Sequence, residues 1–408
     1  MSAVLAINAG SSTIKVGLFD MNSQALLARG AVKGLGTAPC LRLQDASGKS
    51  CAERLSPTSA SVDTWGALLA VVEKHLGQTV LSAVGHRVVH GGRDFAKPIL
   101  VDGPVLDRLD ALTALAPLHQ QRSLDPIRAL RSLRPGLPQV ACFDTSFHHA
   151  LAPPVSRYAL PRHYEDAGVR KYGFHGLSYE SIAGQLAELS SQLSSGRTII
   201  AHLGNGASLC AMRDGLSVDT TMGFSTMDGL VMGTRCGALD PAVVVYLQKQ
   251  FGQSAESVEE ILYKQSGLLG VSGISDDMRV LLSSTEPRAH EAIDLFCFRV
   301  AREAAAMTNT LVGLDCLVFT GGIGEHAPQI RANICDRLGW LGVEIEPVAN
   351  ARGETDITGP SSRVRVLMLA TDEEAVIARH TARLSRGNIL PQQGQHCGEE
   401  LNPVQGER

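Results

Sequence analysis

The chain has 408 residues, with 37 Lys+Arg against 41 Asp+Glu and a formal net charge of −4. That length suits two domains, or one large one, with room for real cores, and 44% hydrophobic with 19% charged residues excludes wholesale disorder. The near-neutral balance offers no basic field to a nucleic-acid backbone, and no uninterrupted apolar run reaches the roughly 18 residues of a membrane span.

Met1–Asn8 has no basic region ahead of its short apolar stretch and does not read as a secretion signal. Val4–Ile7, then Asn8–Thr13, then Lys15–Asp20 reads as strand, tight polar turn, strand. Further strands are expected at Leu26–Val32 and Leu41–Gln44, then an amphipathic helix at Val62–Leu76. Val80–Val89 reads as a strand that carries His86 and Arg87 and runs into His90-Gly91-Gly92. Helical patterns cover Val105–Ala114 and Gln120–Leu133, closed by Arg134-Pro135-Gly136. Gln139–Phe143 reads as a short buried strand that delivers Asp144 at its end.

The second half repeats the theme. Thr198–Leu203 is expected as a strand, Gly204-Asn205-Gly206 as a tight turn and Ala207–Arg213 as the returning strand. Helical stretches fill Asp240–Phe251, Val258–Gln265 and Ala289–Leu314, and Asp315–Thr320 is a strand entering a turn at Gly321–Glu325. Val364–Ala370 is the last strand, and Thr371–Glu374 opens the last helix with an N-cap and an acidic first turn. The tail from Gly387 has low apolar content and no period and reads as flexible. The nine cysteines are dispersed with no C-x-x-C, so neither zinc nor a disulfide framework is indicated; reduced thiols in a cytoplasmic protein are the simpler reading. The recurring strand–turn–strand suggests two α/β domains of similar plan facing each other across a cleft, divided near Phe147–Ala159.

Three Gly-rich turns follow buried strands: Asn8–Lys15 with Ser11, Thr13 and Lys15, His202–Gly206, and Gly321–Glu325. Backbone N–H groups in such turns can hold phosphate, and glycine lets the chain approach without a Cβ clash. One such turn is usually a hairpin; three suit a nucleotide polyphosphate. No G-x-x-x-x-G-K-[ST], H-R-D, D-F-G or dinucleotide spacing is present, so an ATP site built from turns in two domains remains. Arg87, His90, His119, His175 and Arg235 lie beside these turns or in Gly-flanked loops, where polar residues are enriched for function, although each alone also reads as a structural histidine or a surface ion pair. Asp144 occupies a ligand-binding position of open α/β sheets, or equally an Asx-turn or N-cap. Glu373, with Asp372 and Glu374, is a favourable helix start or a water-mediated Mg²⁺ site.

The segments INAGSSTIK (Ile7–Lys15), VGHRVVHGG (Val84–Gly92), APLH (Ala116–His119), FDTSFH (Phe143–His148), RKYGFHG (Arg170–Gly176), HLGNGASL (His202–Leu209), MGTRCGALDP (Met232–Pro241), SGLLGVSGISDDMR (Ser266–Arg279), FTGGIGE (Phe319–Glu325) and TDEE (Thr371–Glu374) occur in order along nearly the whole chain. In them the sequence resembles the acetokinase family, within the superfamily of sugar kinases, actin and heat-shock chaperone ATPases. The resemblance implies an α/β fold of two similar actin-like ATPase domains, a duplicated ribonuclease H-like βββαβαβα core, flanking a cleft. The domains would be 1–147 and 148–373, with a helix at about 374–386 packing back on the first and a flexible tail over 387–408. It implies reversible, Mg²⁺-dependent, in-line transfer of the ATP γ-phosphoryl group to acetate, giving acetyl phosphate and ADP, with Mn²⁺ able to substitute. It also implies a cytoplasmic homodimer that binds no nucleic acid or membrane.

The implied roles are specific. Arg87 and Arg235 would bind the carboxylate and the moving phosphoryl group, His175 would stabilise that group with His119 assisting, and Asn8, Asp144 and Glu373 would organise the Mg²⁺ shell. Ser11, Thr13 and Lys15 would form one phosphate turn, and His202, Gly204, Asn205 and Gly206 the other. Asp277, Met278, Arg279, Gly322, Ile323 and Gly324 would enclose the adenosine, and Val89, Leu118 and Phe174 would receive the acyl methyl group.

Acetate, with a pKa of roughly 4, is already ionised at neutral pH, so no general base is needed. The obstacle is repulsion between a carboxylate and a polyphosphate, which two arginines, a histidine and Mg²⁺ would answer. Asp144 therefore reads as a metal-shell residue and not a proton acceptor. The chain departs from the family pattern at Gln120-Gln121 (commonly Asn-Pro), Thr226 (often proline, lining the acyl pocket) and Met278 (commonly aromatic). Propionate kinase is the alternative within the family, with butyrate kinase behind it. A non-catalytic nucleotide-dependent conformational switch is the alternative outside it, and a carbohydrate kinase would need Asp144 as a base.

Overall fold

The structure, a computed structural model, describes residues 1–10, 13–34, 39–55 and 62–389, without the side chains of residues 118 and 387–389. Among the described residues, the first sheet is built from β1 (Ser2–Ala9), β2 (Ile14–Asp20), β3 (Leu26–Lys33), β4 (Cys40–Asp45), β5 (Ser50–Arg54), β6 (Val80–Val88), β7 (Ile99–Leu100) and β8 (Gln139–Phe143), in the order β5-β4-β3-β2-β1-β6-β8-β7. The second contains β9 (Arg197–Leu203), β10 (Ala207–Arg213), β11 (Leu216–Thr220), β12 (Cys316–Thr320) and β13 (Arg365–Met368), in the order β11-β10-β9-β12-β13.

The two sheets share one plan. β3-β2-β1 and β11-β10-β9 are antiparallel meanders, and β6-β8 and β12-β13 each add two parallel strands beside the first strand of the meander. The parallel strands need helical crossovers, and buried on both faces they read as continuous apolar runs, as in QVACF and CLVFT. The duplicated α/β plan expected from the resemblance is present, with β4, β5 and β7 as additions at the edges of the first sheet.

Helices cover the four sheet faces. Val62–Leu76 presents Trp65, Leu68, Leu69 and Val72 to Leu5, Ile7, Val16 and Val84, and Leu130 of Pro117–Leu133 joins the same cluster. On the opposite face, Val376, Ile377, Ala378 and Ala382 of the last helix, Glu373–Ile389, pack on Val4, Ala6, Phe19, Val140 and Cys142. Gly176–Leu189 lays Tyr179, Ile182 and Leu186 on Ile200, Cys210, Val318 and Leu367, and Pro287–Leu311 covers the other face of the second sheet. The two inner helices meet: His380 Nε2 lies 2.7 Å from Glu180 Oε1, and the Asp372 N–H donates to Ser181 Oγ at 3.0 Å. The sheets are thereby joined through their inner helices.

Strongly periodic elements follow the sequence reading, Val62–Leu76, Gln139–Phe143 and Ala207–Arg213 residue for residue. Others differ. Gly321–Glu325 is not a hairpin turn but the start of a short helix, Gly321–His326, because β12 is followed by a crossover and not by a returning strand. Gly176–Leu189 went unread because its Gly and Ser content lowers helix propensity; the buried stripe of Tyr179, Ile182 and Leu186 supplies what propensity does not. The last helix continues through Gly387–Ile389, where a flexible segment was expected; residues 390–408 of that segment lie outside the described residues.

Gly85 in β6 lies directly under the last helix: a Cβ there would stand 2.1 Å from Thr381 Oγ1 and 2.5 Å from Ile377 Cγ2. Gly85→Val should push that helix off the sheet, lowering stability in equilibrium urea unfolding by about 1–3 kcal/mol. An unchanged midpoint would contradict this packing.

Candidate active site

Asn8 and Arg87 are the penultimate residues of β1 and β6, and Asp144 follows β8, so three adjacent parallel strands present these side chains at one edge. Arg87 is clamped there. Its Nε donates to Asp144 Oδ1 at 2.9 Å, its Nη2 donates to Asp144 Oδ2 at 2.6 Å, and its Nη1 donates to Asn8 Oδ1 at 3.1 Å. Asn8 in turn donates through Nδ2 to Glu373 Oε2 at 2.7 Å and Glu374 Oε1 at 2.8 Å, at the start of the last helix. Burial works against charge on Arg87, but Asp144, helped by Glu373 and Glu374, more than offsets it and raises the Arg87 pKa. Both oxygens of Asp144 are engaged by Arg87, so this carboxylate is committed to positioning a guanidinium.

The second sheet supplies the opposite wall. His175 caps the N-terminus of Gly176–Leu189 with φ +59°, a left-handed conformation uncommon outside glycine that turns its ring into the cavity. The Gly176 N–H donates to the Asp144 carbonyl at 2.9 Å, tying this turn to the end of β8. His175 Nδ1 lies 2.8 Å from Ser208 Oγ, and its ring stacks on His202 with centroids 4.3 Å apart. Arg235 donates from Nη1 to the Thr226 carbonyl at 2.6 Å, a neutral partner that fixes the guanidinium without cancelling its charge. Gly206 keeps the floor open between them, since a Cβ there would lie 2.8 Å from Arg235 Nη2 and 3.4 Å from His175 Nε2.

These groups line one cavity of about 500 Å³. Of the residues expected at the site, Asn8, Thr13, Lys15, Arg87, Val89, His119, Asp144, Phe174, His175, His202, Gly204, Asn205, Gly206, Arg235, Gly322 and Glu373 are brought to its wall. Asp277, Met278, Arg279, Ile323 and Gly324 are not. Asp277 caps a short helix and pairs with the exposed Arg279, while the Met278 side chain is packed in the second core. Ser11 lies outside the described residues, as does the side chain of Leu118. His90 is structural: its Nδ1 accepts from the Gly92 N–H at 2.8 Å, and its backbone is clamped on both sides by the buried Gln120 carboxamide, which gives the departure at Gln120 a role. Arg122 completes the site without a motif that marks it, and Glu374, Glu325 and Thr371, which the sequence places in an acidic helix start and a Gly-rich turn, join it there. Arg122 had a signal, lying one helical turn beyond His119 on the same face.

Burial depresses the site histidines, with Arg87 and Arg235 adding to the effect at His119 and His175. His119 and His202 fall to about 4, and His175 lies well below its usual range. All three are neutral at pH 7. Glu373 and Glu374 are both buried: burial works against charge on Glu373, but Arg87 and Lys15 draw it down, whereas burial and then its neighbour Glu373 push Glu374 up. Two crowded carboxylates with hard oxygens are a suitable donor set for Mg²⁺, which is usually held by one or two carboxylates, waters and substrate phosphates. The arrangement as a whole is a cationic and hydrogen-bond-donating wall facing an acidic corner.

Residues 3–379 match the Acetokinase family. The chain is 48% identical to an acetate kinase of Rhodopseudomonas palustris over 94% of this chain and 98% of that one, and 45% identical to an acetate kinase of Rhizobium meliloti over 94% and 98%. Among solved structures, a propionate kinase from Francisella tularensis superposes with a TM-score of 0.87 at 38% identity, covering 94% of this chain and 100% of that chain. An acetate kinase of Porphyromonas gingivalis superposes at 0.83 and 33%, with the same coverage.

The neutral histidines have a measurable consequence. His119 and His202, together with His148, which is buried outside this cavity, titrate near 4 when folded against 6.5 when free, so their contribution to stability is complete above pH 6.5 and is lost as pH falls from there toward 4. Equilibrium unfolding should be flat from pH 7 to 8 and weaken by up to about 2 kcal/mol per histidine by pH 5. A stability that is unchanged at pH 5 would mean that these rings are solvated.

Proposed function

The chain belongs to the acetokinase family, and from that premise we infer that it acts as an acetate kinase, moving the γ-phosphoryl group of ATP to acetate to give acetyl phosphate and ADP. The observation that carries the reading is the convergence of Arg87, His175 and Arg235 on a single cavity, with both guanidinium groups held in place before any ligand arrives.

Chemically, the acceptor carboxylate needs no deprotonation, so the protein's work is to overcome repulsion and align the two anions. Arg87 offers its remaining N–H edges from a fixed fork, and Arg235, tied among the described residues only to a carbonyl, carries an uncancelled charge. Charge spreading over the oxygens of the moving phosphoryl group would meet these two groups and the N–H of neutral His175, in an enclosed site where such donors act strongly. Lys15 and the backbone around Gly204–Gly206 and Gly322 would hold the remaining phosphates. Glu373 and Glu374, oriented by Asn8, would hold Mg²⁺ with intervening waters, and the ion would neutralise charge shared by the outer phosphates. Because Asp144 is saturated by Arg87, it supports neither a general-base role nor a carbohydrate-kinase reading.

Val89, Phe174 and Thr226 form the apolar side of the cavity and would face the acyl methyl group. One methylene is worth only about 1–3 kcal/mol in such a pocket, and the likeness to the Francisella enzyme keeps propionate as the second acyl substrate to test. Helix Pro241–Phe251 buries none of its residues although Val243, Val245, Tyr246 and Phe251 are apolar; this supports the homodimer that the resemblance implies. Unpaired cysteines throughout the described residues support a reducing, cytoplasmic setting.

Hydroxylamine trapping of the acyl phosphate, with acetate, propionate and butyrate compared at steady state, should give the highest kcat/KM with acetate. No acyl phosphate from any of the three would dismiss the kinase in favour of a nucleotide switch. Arg87→Ala and Arg235→Ala should each lower kcat by two or more decades, about 3 kcal/mol, with circular dichroism unchanged. Near-normal turnover in either folded variant would remove that arginine from the mechanism.

A further inference from the structure

His175 has a second neighbour shell that the reaction described so far does not use. Ser208, the second residue of β10, is fully buried, and its Oγ lies 2.8 Å from His175 Nδ1 on one side and close against the Tyr179 hydroxyl, at 2.5 Å, on the other. Tyr179 lies one helical turn beyond His175 on Gly176–Leu189 and is itself fully buried. Among the described residues, Ser208 Oγ is the only hydrogen-bond partner of the Tyr179 hydroxyl, and Ser208 is the only side chain bonded to His175 Nδ1.

Apart from the order in which Ser208 Oγ accepts from both neighbours, which strands its own buried proton and is disfavoured for that cost, three groups in a row can order their protons in two ways. In one, Tyr179 O–H donates to Ser208 Oγ, Ser208 O–H donates to His175 Nδ1, and the single proton of the neutral imidazole sits on Nε2. In the other, His175 Nδ1–H donates to Ser208, Ser208 donates to Tyr179, and the Tyr179 proton is left with no acceptor in the core. A buried donor without an acceptor is costly, so the first order prevails. Burial holds Tyr179 protonated, well above its ordinary range, so the outer donor persists at any working pH. The open side of Gly206 lies at His175 Nε2, toward Arg235, so the proton that the first order leaves on Nε2 faces the cavity.

We propose that Tyr179 and Ser208 are positioning residues that lock neutral His175 in the Nε2–H tautomer, making it an obligate hydrogen-bond donor to the moving phosphoryl group. This rests on the phosphoryl-transfer reading above. Without the lock, part of the population would present a bare Nε2 lone pair to an anion and repel it.

The direct test is ¹⁵N-histidine NMR of the full chain, with the His175 signal assigned by its loss in His175→Asn. Between pH 6 and 8 the wild type should show the Nε2-protonated tautomer, and Ser208→Ala should shift it toward a mixture. In steady-state assays, kcat should fall about tenfold in Tyr179→Phe and about a hundredfold in Ser208→Ala, with the KM values for ATP and acetate within about twofold of wild type. An Nδ1-protonated or doubly protonated His175 in the wild type overturns the proposal, whether or not the variants fold, as does wild-type kcat in Ser208→Ala. The two readings separate cleanly. An Nε2-protonated His175 in a protein that makes no acyl phosphate leaves the lock standing and removes the reaction; acyl phosphate formation with an Nδ1-protonated His175 does the reverse.

Discussion

The bidentate contact between Arg87 and Asp144 is the constraint on which the rest of the site depends. A buried ion pair is a poor source of stability, because removing both charges from water costs about as much as their attraction returns. Its value here is directional. The planar guanidinium is held through three of its own nitrogen donors by two kinds of acceptor at the ends of neighbouring strands, so its free edge can point only one way. Asn8 then passes that orientation on. Its carboxamide oxygen faces the cation and its amide nitrogen faces Glu373 and Glu374, an arrangement that fits only if the acidic helix start and the arginine fork are both in place.

The opposite wall follows a different rule. Arg235 and the histidines are matched to neutral partners, the Thr226 carbonyl and the Ser178 and Ser208 hydroxyls, so the protein leaves positive potential in the cavity and does not cancel it internally. Burial keeps the imidazoles uncharged, which limits the mutual repulsion of a crowded cationic site while retaining their N–H donors. A polyanionic substrate is the missing term in that balance. The wall is stiff because its supports, β10 and the start of Gly176–Leu189, belong to packed cores and not to loops.

Much of this was legible in the chain because it is carried by local pattern. Alternation and 3.6-residue periods place the strands and Val62–Leu76, and glycines around His175 and Arg235 mark loops that come close to something. Asp144 was visible as the residue that ends a buried strand, but not as the clasp of Arg87, because that partnership is made by strand adjacency across 57 positions. Ser208 and Tyr179 carry no local signal at all: a serine in an apolar strand and a tyrosine on a helix look like packing until the two elements are stacked. Met278 is the reverse case: a position implied by resemblance to lie beside a base carries a side chain packed in the core and away from the wall of this cavity. Gly321 misled because a glycine pair after a strand looks the same whether it opens a hairpin or a helix.

The last helix raises a matter of biogenesis. The first sheet receives the cover for one of its faces from Glu373–Ile389, synthesised after the whole of the second sheet. A nascent chain that has completed residues 1–143 therefore carries a bare apolar floor formed by Val4, Ala6, Phe19, Val140 and Cys142, and cannot mature domain by domain in the order of translation. Delivery of the final helix and appearance of the acidic corner become one event. Incomplete products are consequently both sticky and inert, a state suited to capture by chaperones or proteases and not to partial activity.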